Sequence, residues 1–231
     1  MLLDPLLCIP TDNHLHPVLL EHLGCLRTMG DGAAGRGCMD YEELGDLDMK
    51  FYNASQIIQR HAPSVFSMPF LSPEFCAGLV KESGAMTYEV NDAEDEEFRI
   101  PEVVLKHNCL TLHASLSVLF NHAMNPVAQL LYGMDPEHIR SIQLAKYQPT
   151  EVGYGNWHHD FDSDFTVVVA LSAEHEGGGT EVKGHGFSPC YEVPQLPVGH
   201  AMIFPGKVCL HRGMPVTKGV RNLCVFWTEI K

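Results

Sequence analysis

The sequence predicts an α+β fold: an antiparallel double-stranded β-helix, or jelly roll, buttressed by helices and preceded by an N-terminal extension. Three observations carry this reading. Apolar or β-branched runs follow one another after residue 139, separated by Gly, Pro, Asp and Ser clusters. Apolar residues at helical spacing are confined to the part before it. With 231 residues, of which 45% are hydrophobic, the chain can bury one large core beside an extension.

Taken in order, residues 12–27 are expected to form a helix with Leu15, Leu19, Leu20 and Leu23 on one side, followed by a flexible loop over 30–38. Gly30, Gly32 and Gly35 satisfy G-x-G-x-x-G, yet no β-branched strand precedes them and the following DYEELGDLD is acidic. Both facts argue against a phosphate cradle. Residues 1–62 read as the extension and 63–231 as the folded domain. A strand over 65–70 feeds a helix capped by Ser72-Pro73 and ended by Ser83-Gly84. The acidic run over 91–97 reads as a solvated loop, with attraction of a basic substrate as its functional alternative. A second helical pattern over 111–132 is interrupted at Asn125-Pro126. Strands are then expected over 139–147, 165–171, 180–183, 201–204 and 222–228.

A formal charge of −14 disfavours broad contact with nucleic-acid phosphates and suits a basic partner such as a lysine-bearing peptide. No run approaches the roughly 20 apolar residues of a membrane span. MLLDPLLCIP lacks the basic flank of a secretory signal, so a cytoplasmic protein without a membrane partner is expected. The eight cysteines form no C-x-x-C pair and read as reduced structural thiols. Asn53-Ala54-Ser55 fits a glycosylation acceptor without other signs of secretion.

Chemistry concentrates at WHHDFDSDF, residues 157–165. If the segment is extended, His158 and Asp160 share a face about 7 Å apart while His159 points away. His211, at the end of a strand-like run, is the third candidate. Two imidazoles and one carboxylate with open positions suit non-haem Fe(II). Zinc is the competing metal, although the helical H-E-x-x-H is absent. Arg221 alternates onto one face with Leu223, Val225 and Trp227; if that face lines a barrel, the guanidinium needs an anion such as a bidentate ligand carboxylate. His14, His16, His61, His107, His113 and His122 read as ordinary core or surface histidines. Gly177, Gly178 and Gly179 read as a tight turn into a strand.

These residues resemble the Fe(II)/2-oxoglutarate-dependent dioxygenases, in particular their peptidyl prolyl and lysyl hydroxylases, and most of all the procollagen lysyl hydroxylase catalytic domain. The resemblance rests on HHD followed by FTVVVAL, EGGGTEV from 176, PGKVCLHRG from 205, MPVTKGVRN from 214 and KYQP at 146–149, and it covers about residues 63–231. It implies that His158, Asp160 and His211 hold Fe(II) and that Arg221 binds 2-oxoglutarate. Tyr147 is either a second contact to that cosubstrate or a core tyrosine. The implied reaction consumes O2 and 2-oxoglutarate, releases succinate and CO2, and hydroxylates a lysyl or prolyl side chain, with L-ascorbate as reductant. Val168 stands where the lysyl hydroxylases carry asparagine, and the segment after the glycine triplet is longer than theirs. Two alternatives stay open: the same chemistry on a free amino acid or small molecule, and a catalytically silent jelly-roll binding module. Oligomeric state is not legible.

Overall fold

The computed structural model describes residues 5–33, 35, 44–92, 95–136, 138–184, 186 and 188–230. Its helices are α1 Pro17–Ala33, α2 Leu44–Gln56, α3 Pro73–Ser83, α4 Leu105–Asn108, α5 Leu110–Ala123 and α6 Asn125–Tyr132. Its strands are β1 Gln59–Ala62, β2 Val65–Pro69, β3 Glu102–Val104, β4 His138–Tyr147, β5 Phe165–Ala170, β6 His175–Gly177, β7 Thr180–Val182, β8 Tyr191–Val193, β9 His200–Pro205, β10 His211–Gly213, β11 Val216–Gly219 and β12 Arg221–Glu229.

Seven strands form the major sheet in the order β1-β2-β9-β5-β12-β4-β3; the smaller sheets are β10-β7-β8 and β11-β6. Every pairing is antiparallel. The major sheet is buried on both faces, which is why β5 reads as an unbroken apolar run rather than an alternating one. One face carries Val167, Val169, Ala201, Ile203, Cys224 and Phe226 into the main core. There they meet Leu19 and Leu26 of α1 and Leu112, Leu116 and Phe120 of α5. Phe226 packs edge-on against Phe70 and at 5.3 Å from Phe120. The opposite face, with Val168, Met202, Leu223 and Val225, turns toward the smaller sheets and lines the cavity described below.

Ser72 caps α3 as its sequence predicts, accepting a hydrogen bond from the Phe75 amide at 3.3 Å, with Pro73 at the first helical position. Asn125-Pro126 does separate two helices, α5 and α6. The expected flexible loop over 30–38 is corrected at its start: α1 continues through Gly30 and Gly32 to Ala33. A Cβ on Gly30 would lie 2.4 Å from the Pro126 carbonyl oxygen, so the missing side chain lets α1 sit directly against the start of α6. Tertiary packing there outweighs the poor helix propensity of glycine. Beyond Gly35, the rest of that stretch lies outside the described residues, as do Ala93 and Glu94 of the acidic run.

Leu7, Leu15, Leu19, Leu23 and Leu26 share the core of the sheet, and β1, upstream of residue 63, is one of the sheet's edges. Seven cysteines are free thiols, and no disulfide occurs among the described residues.

Candidate active site

The three metal candidates are brought together without the continuous strand their spacing suggested. His158 makes a single antiparallel bridge to His211, with amide-to-carbonyl bonds of 2.9 and 3.0 Å in the two directions. The chain then turns, the Ser163 amide donating to the Asp160 carbonyl at 2.9 Å. The i, i+2 argument therefore gives the right convergence through a different local geometry: a bridge followed by a turn.

The tautomers follow from the hydrogen bonds. His158 Nδ1 lies 2.8 Å from the Asn156 carbonyl and His211 Nδ1 lies 3.0 Å from the Cys209 carbonyl. A carbonyl can only accept, so each Nδ1 carries the proton and each Nε2 presents a lone pair. Those Nε2 atoms stand 3.5 and 3.8 Å from the two carboxylate oxygens of Asp160. One donor atom from each residue falls within 4.8 Å of the others, the one such cluster among the described residues. Asp160 and His211 are buried and His158 is exposed.

Burial acts to raise the Asp160 pKa, but its contacts with His158, His211 and Thr166 outweigh that and keep it below the ordinary carboxylate value. His211 is pushed down to about 4, by burial first, against the opposing pull of Asp160. At neutral pH the site is thus the Asp160 carboxylate and a neutral His211 imidazole, with the His158 Nε2 aimed at the same point. Such a donor set fits a divalent transition metal. Cys209 contributes its carbonyl, and burial pushes its thiol up to about 12.

Thr166 supports this focus by donating to Asp160 Oδ2 at 2.6 Å. Gly206 clears the space: a Cβ there would fall 2.6 Å from the Ser163 carbonyl oxygen and 3.0 Å from the Asp160 Cβ.

Arg221 enters the same cavity from β12. Its register partner on β4 is Tyr147, whose ring centre lies 5.5 Å from the guanidinium carbon. The arginine is 4% exposed, and among the described residues no carboxylate lies within ion-pair distance of it. Its pKa is lowered by burial, with Tyr147 opposing. A buried cation of this kind calls for an anionic ligand. His158, Asp160, His211, Tyr147 and Arg221 all line one cavity of about 80 Å³, so all five sequence candidates come together. The triplet Gly177-Gly178-Gly179 takes φ of 78, 84 and 99°, a left-handed run that L side chains rarely adopt. A Cβ on Gly178 would also lie 3.0 Å from the Arg221 Cδ.

Outside this cavity opens a groove of about 680 Å³. Its walls carry Glu89, Asp95, Glu102 and Asp162 beside Trp157 and the exposed Phe161. Glu102 lines both groove and inner cavity. Thr166 and Gln195, whose Oε1 accepts a hydrogen bond from Arg221 Nε, were not singled out by sequence. One sits inside an apolar run and the other in a loop, and neither position has a periodic signal.

No family model matches the chain. Its sequence is 25% identical over 189 residues to the multifunctional procollagen lysine hydroxylase and glycosyltransferase of Caenorhabditis elegans, covering 76% of this chain and 25% of that protein. The chain therefore spans about a quarter of the length of the lysine hydroxylases it matches. Among solved structures, a 2OG-Fe(II) oxygenase family oxidoreductase from Burkholderia pseudomallei superposes with TM-score 0.60 at 16% identity, covering 72% of this chain and 85% of that one. A prolyl hydroxylase from Trichoplax adhaerens, solved with a hypoxia inducible factor peptide fragment, gives TM-score 0.57 at 11% identity and covers 82% and 93%.

The fold is the jelly-roll fold of the 2OG-Fe(II) oxygenases, and a His-Asp-His cluster stands in it. By sequence, the homologues are procollagen lysine hydroxylases and PKHD-type hydroxylases. Among the described residues no helix is long and apolar enough to cross a membrane.

Proposed function

We propose that this chain is a non-haem Fe(II)- and 2-oxoglutarate-dependent dioxygenase that hydroxylates a lysyl or prolyl side chain of a polypeptide, releasing succinate and CO2. One observation carries the reading: the His158, Asp160 and His211 donors and a buried Arg221, with no carboxylate beside it among the described residues, face the same small cavity.

In this reading His158, Asp160 and His211 hold iron, which supplies the coupling of 2-oxoglutarate decarboxylation to insertion of one atom of O2 into a C–H bond. Arg221 binds the distal carboxylate of 2-oxoglutarate through paired N–H donors, and Tyr147 lies against the guanidinium face. Val168, Met202 and Leu223 form an apolar wall that keeps water from the cosubstrate. Where the lysyl hydroxylases carry asparagine, Val168 contributes shape without a hydrogen bond.

The groove is large for a free amino acid and suits an extended peptide. Its acidic wall, Glu89, Asp95 and Glu102 with Asp162 paired to Arg140, favours a cationic side chain, which places lysyl ahead of prolyl.

The test is anaerobic Fe(II) loading followed by 2-oxoglutarate titration, then succinate release with ascorbate, O2 and matched lysyl and prolyl peptides. A charge-transfer band that Asp160→Ala abolishes and Arg221→Ala weakens, with succinate formed only with peptide, is the expected result. Iron-loaded, folded protein with no band and no turnover on any peptide or free amino acid would turn the reading to a binding module.

A further inference from the structure

Arg221 does not stand alone in its cavity. Its Nε donates to the side-chain Oε1 of Gln195 at 2.8 Å. Gln195 lies in the loop between β8 and β9, and its own Nε2 donates to the Leu196 carbonyl at 3.3 Å. Because that carbonyl can only accept, the amide has one orientation, with Oε1 toward the arginine. The loop is seated by Gly179, where a Cβ would lie 2.7 Å from the Val193 carbonyl oxygen and 3.2 Å from the Gln195 amide nitrogen.

A guanidinium offers five N–H donors in a rigid plane, and a carboxylate takes two of them from one edge. With Nε committed to Gln195, the Nη pair is the edge left for a bidentate partner. The amide does this without cancelling the positive charge, which a carboxylate at the same place would do.

We propose that Gln195 is a positioning residue for the cosubstrate: it fixes the plane of Arg221 so that the Nη edge meets a carboxylate, and its neutrality keeps the guanidinium charge available to a dicarboxylic keto acid. This rests on the reading of Arg221 as the 2-oxoglutarate anchor. Around the same guanidinium, the aromatic face of Tyr147 and the neutral His175, whose pKa is lowered first by burial and then by Arg221, add no negative charge.

The experiment is calorimetric titration of 2-oxoglutarate into the Mn(II)-loaded full chain, with Mn(II) affinity measured separately for wild type, Arg221→Ala, Gln195→Glu and Gln195→Met. Gln195→Glu supplies an internal counter-ion and is expected to weaken 2-oxoglutarate about 100-fold, comparably to Arg221→Ala. Gln195→Met keeps length and neutrality but loses the acceptor, and about 5- to 10-fold weakening is expected. Mn(II) affinity stays within about twofold of wild type in both Gln195 variants, since neither touches the donor cluster. Wild-type 2-oxoglutarate affinity in both Gln195 variants, alongside its loss in Arg221→Ala, would overturn the role of Gln195 and leave the cosubstrate reading standing. No binding by wild type would overturn both. Gln195→Met keeps the test decisive should the glutamate impair folding.

Discussion

The hydroxyl of Thr166 decides how Asp160 presents itself. By donating to Oδ2 at 2.6 Å it holds the carboxylate plane and leaves Oδ1 toward His158. Partners of this kind orient metal ligands, and losing one costs about 10- to 100-fold in metal affinity. Thr166→Val is accordingly expected to weaken Co(II) or Mn(II) binding by at least about tenfold, with Thr166→Ser restoring most of it. Equal affinity in all three proteins, measured by metal titration, would remove the hydroxyl from the site. His158 and Asp160 were legible because they stand together just before an apolar run, and His211 because it ends a strand-like run in a turn-rich segment. Arg221 was legible because strand alternation puts it with Leu223, Val225 and Trp227. Thr166 and Gln195 were not, because their roles arise from partners 6 and 26 residues away in sequence, and nothing local marks them.

Among the elements, α1 offers a paired test of packing against propensity. Gly24 and Gly30 are both helical, and a Cβ on Gly24 would meet nothing within 4 Å. Gly24→Ala is expected to stabilise the protein by about 0.5–1 kcal/mol, the ordinary gain for relieving glycine in a helix. Gly30→Ala drives a methyl into the Pro126 carbonyl and is expected to destabilise by about 1–3 kcal/mol instead. Denaturant unfolding of the two variants checks both signs, and stabilisation by Gly30→Ala would mean that α1 and α6 do not meet so closely. Helices α1, α3, α5 and α6 and the apolar strands were readable because burial gives them a period, whereas α2 was not, Ala54 being the one buried side chain among its described ones. The strands β1, β3, β6, β8, β10 and β11, three or four residues each and partly polar, were not. Their pairing comes from the larger sheet and from turns, such as the glycine triplet, that aim them.

The molecule as a whole holds many histidines in neutral form. Burial lowers the pKa of His14, His61, His113 and His200 below the ordinary imidazole value, and that of His211 to about 4. Between the native and unfolded values the unfolded chain binds more protons, so stability is full above pH 6.5 and falls as pH drops toward 4. His211 alone accounts for about 3 kcal/mol once both values are passed. For the metal-free protein this corresponds to a fall in unfolding midpoint of more than about 5 °C between pH 7 and pH 4.5. A flat profile over that range would mean these rings protonate freely in the native state.

Strand β12 threads through both halves of this architecture. Its even-numbered residues, Cys224 and Phe226, belong to the helical core, and its odd-numbered residues, Arg221, Leu223, Val225 and Trp227, belong to the cavity. Selection for a new substrate and selection for persistence thus act on alternate letters of one nine-residue word. Leu223, with Val225 packed beside it, also joins a small cluster with Ile100 and Ala145, so changes at Trp227 can reshape the cavity with the least disturbance to either core.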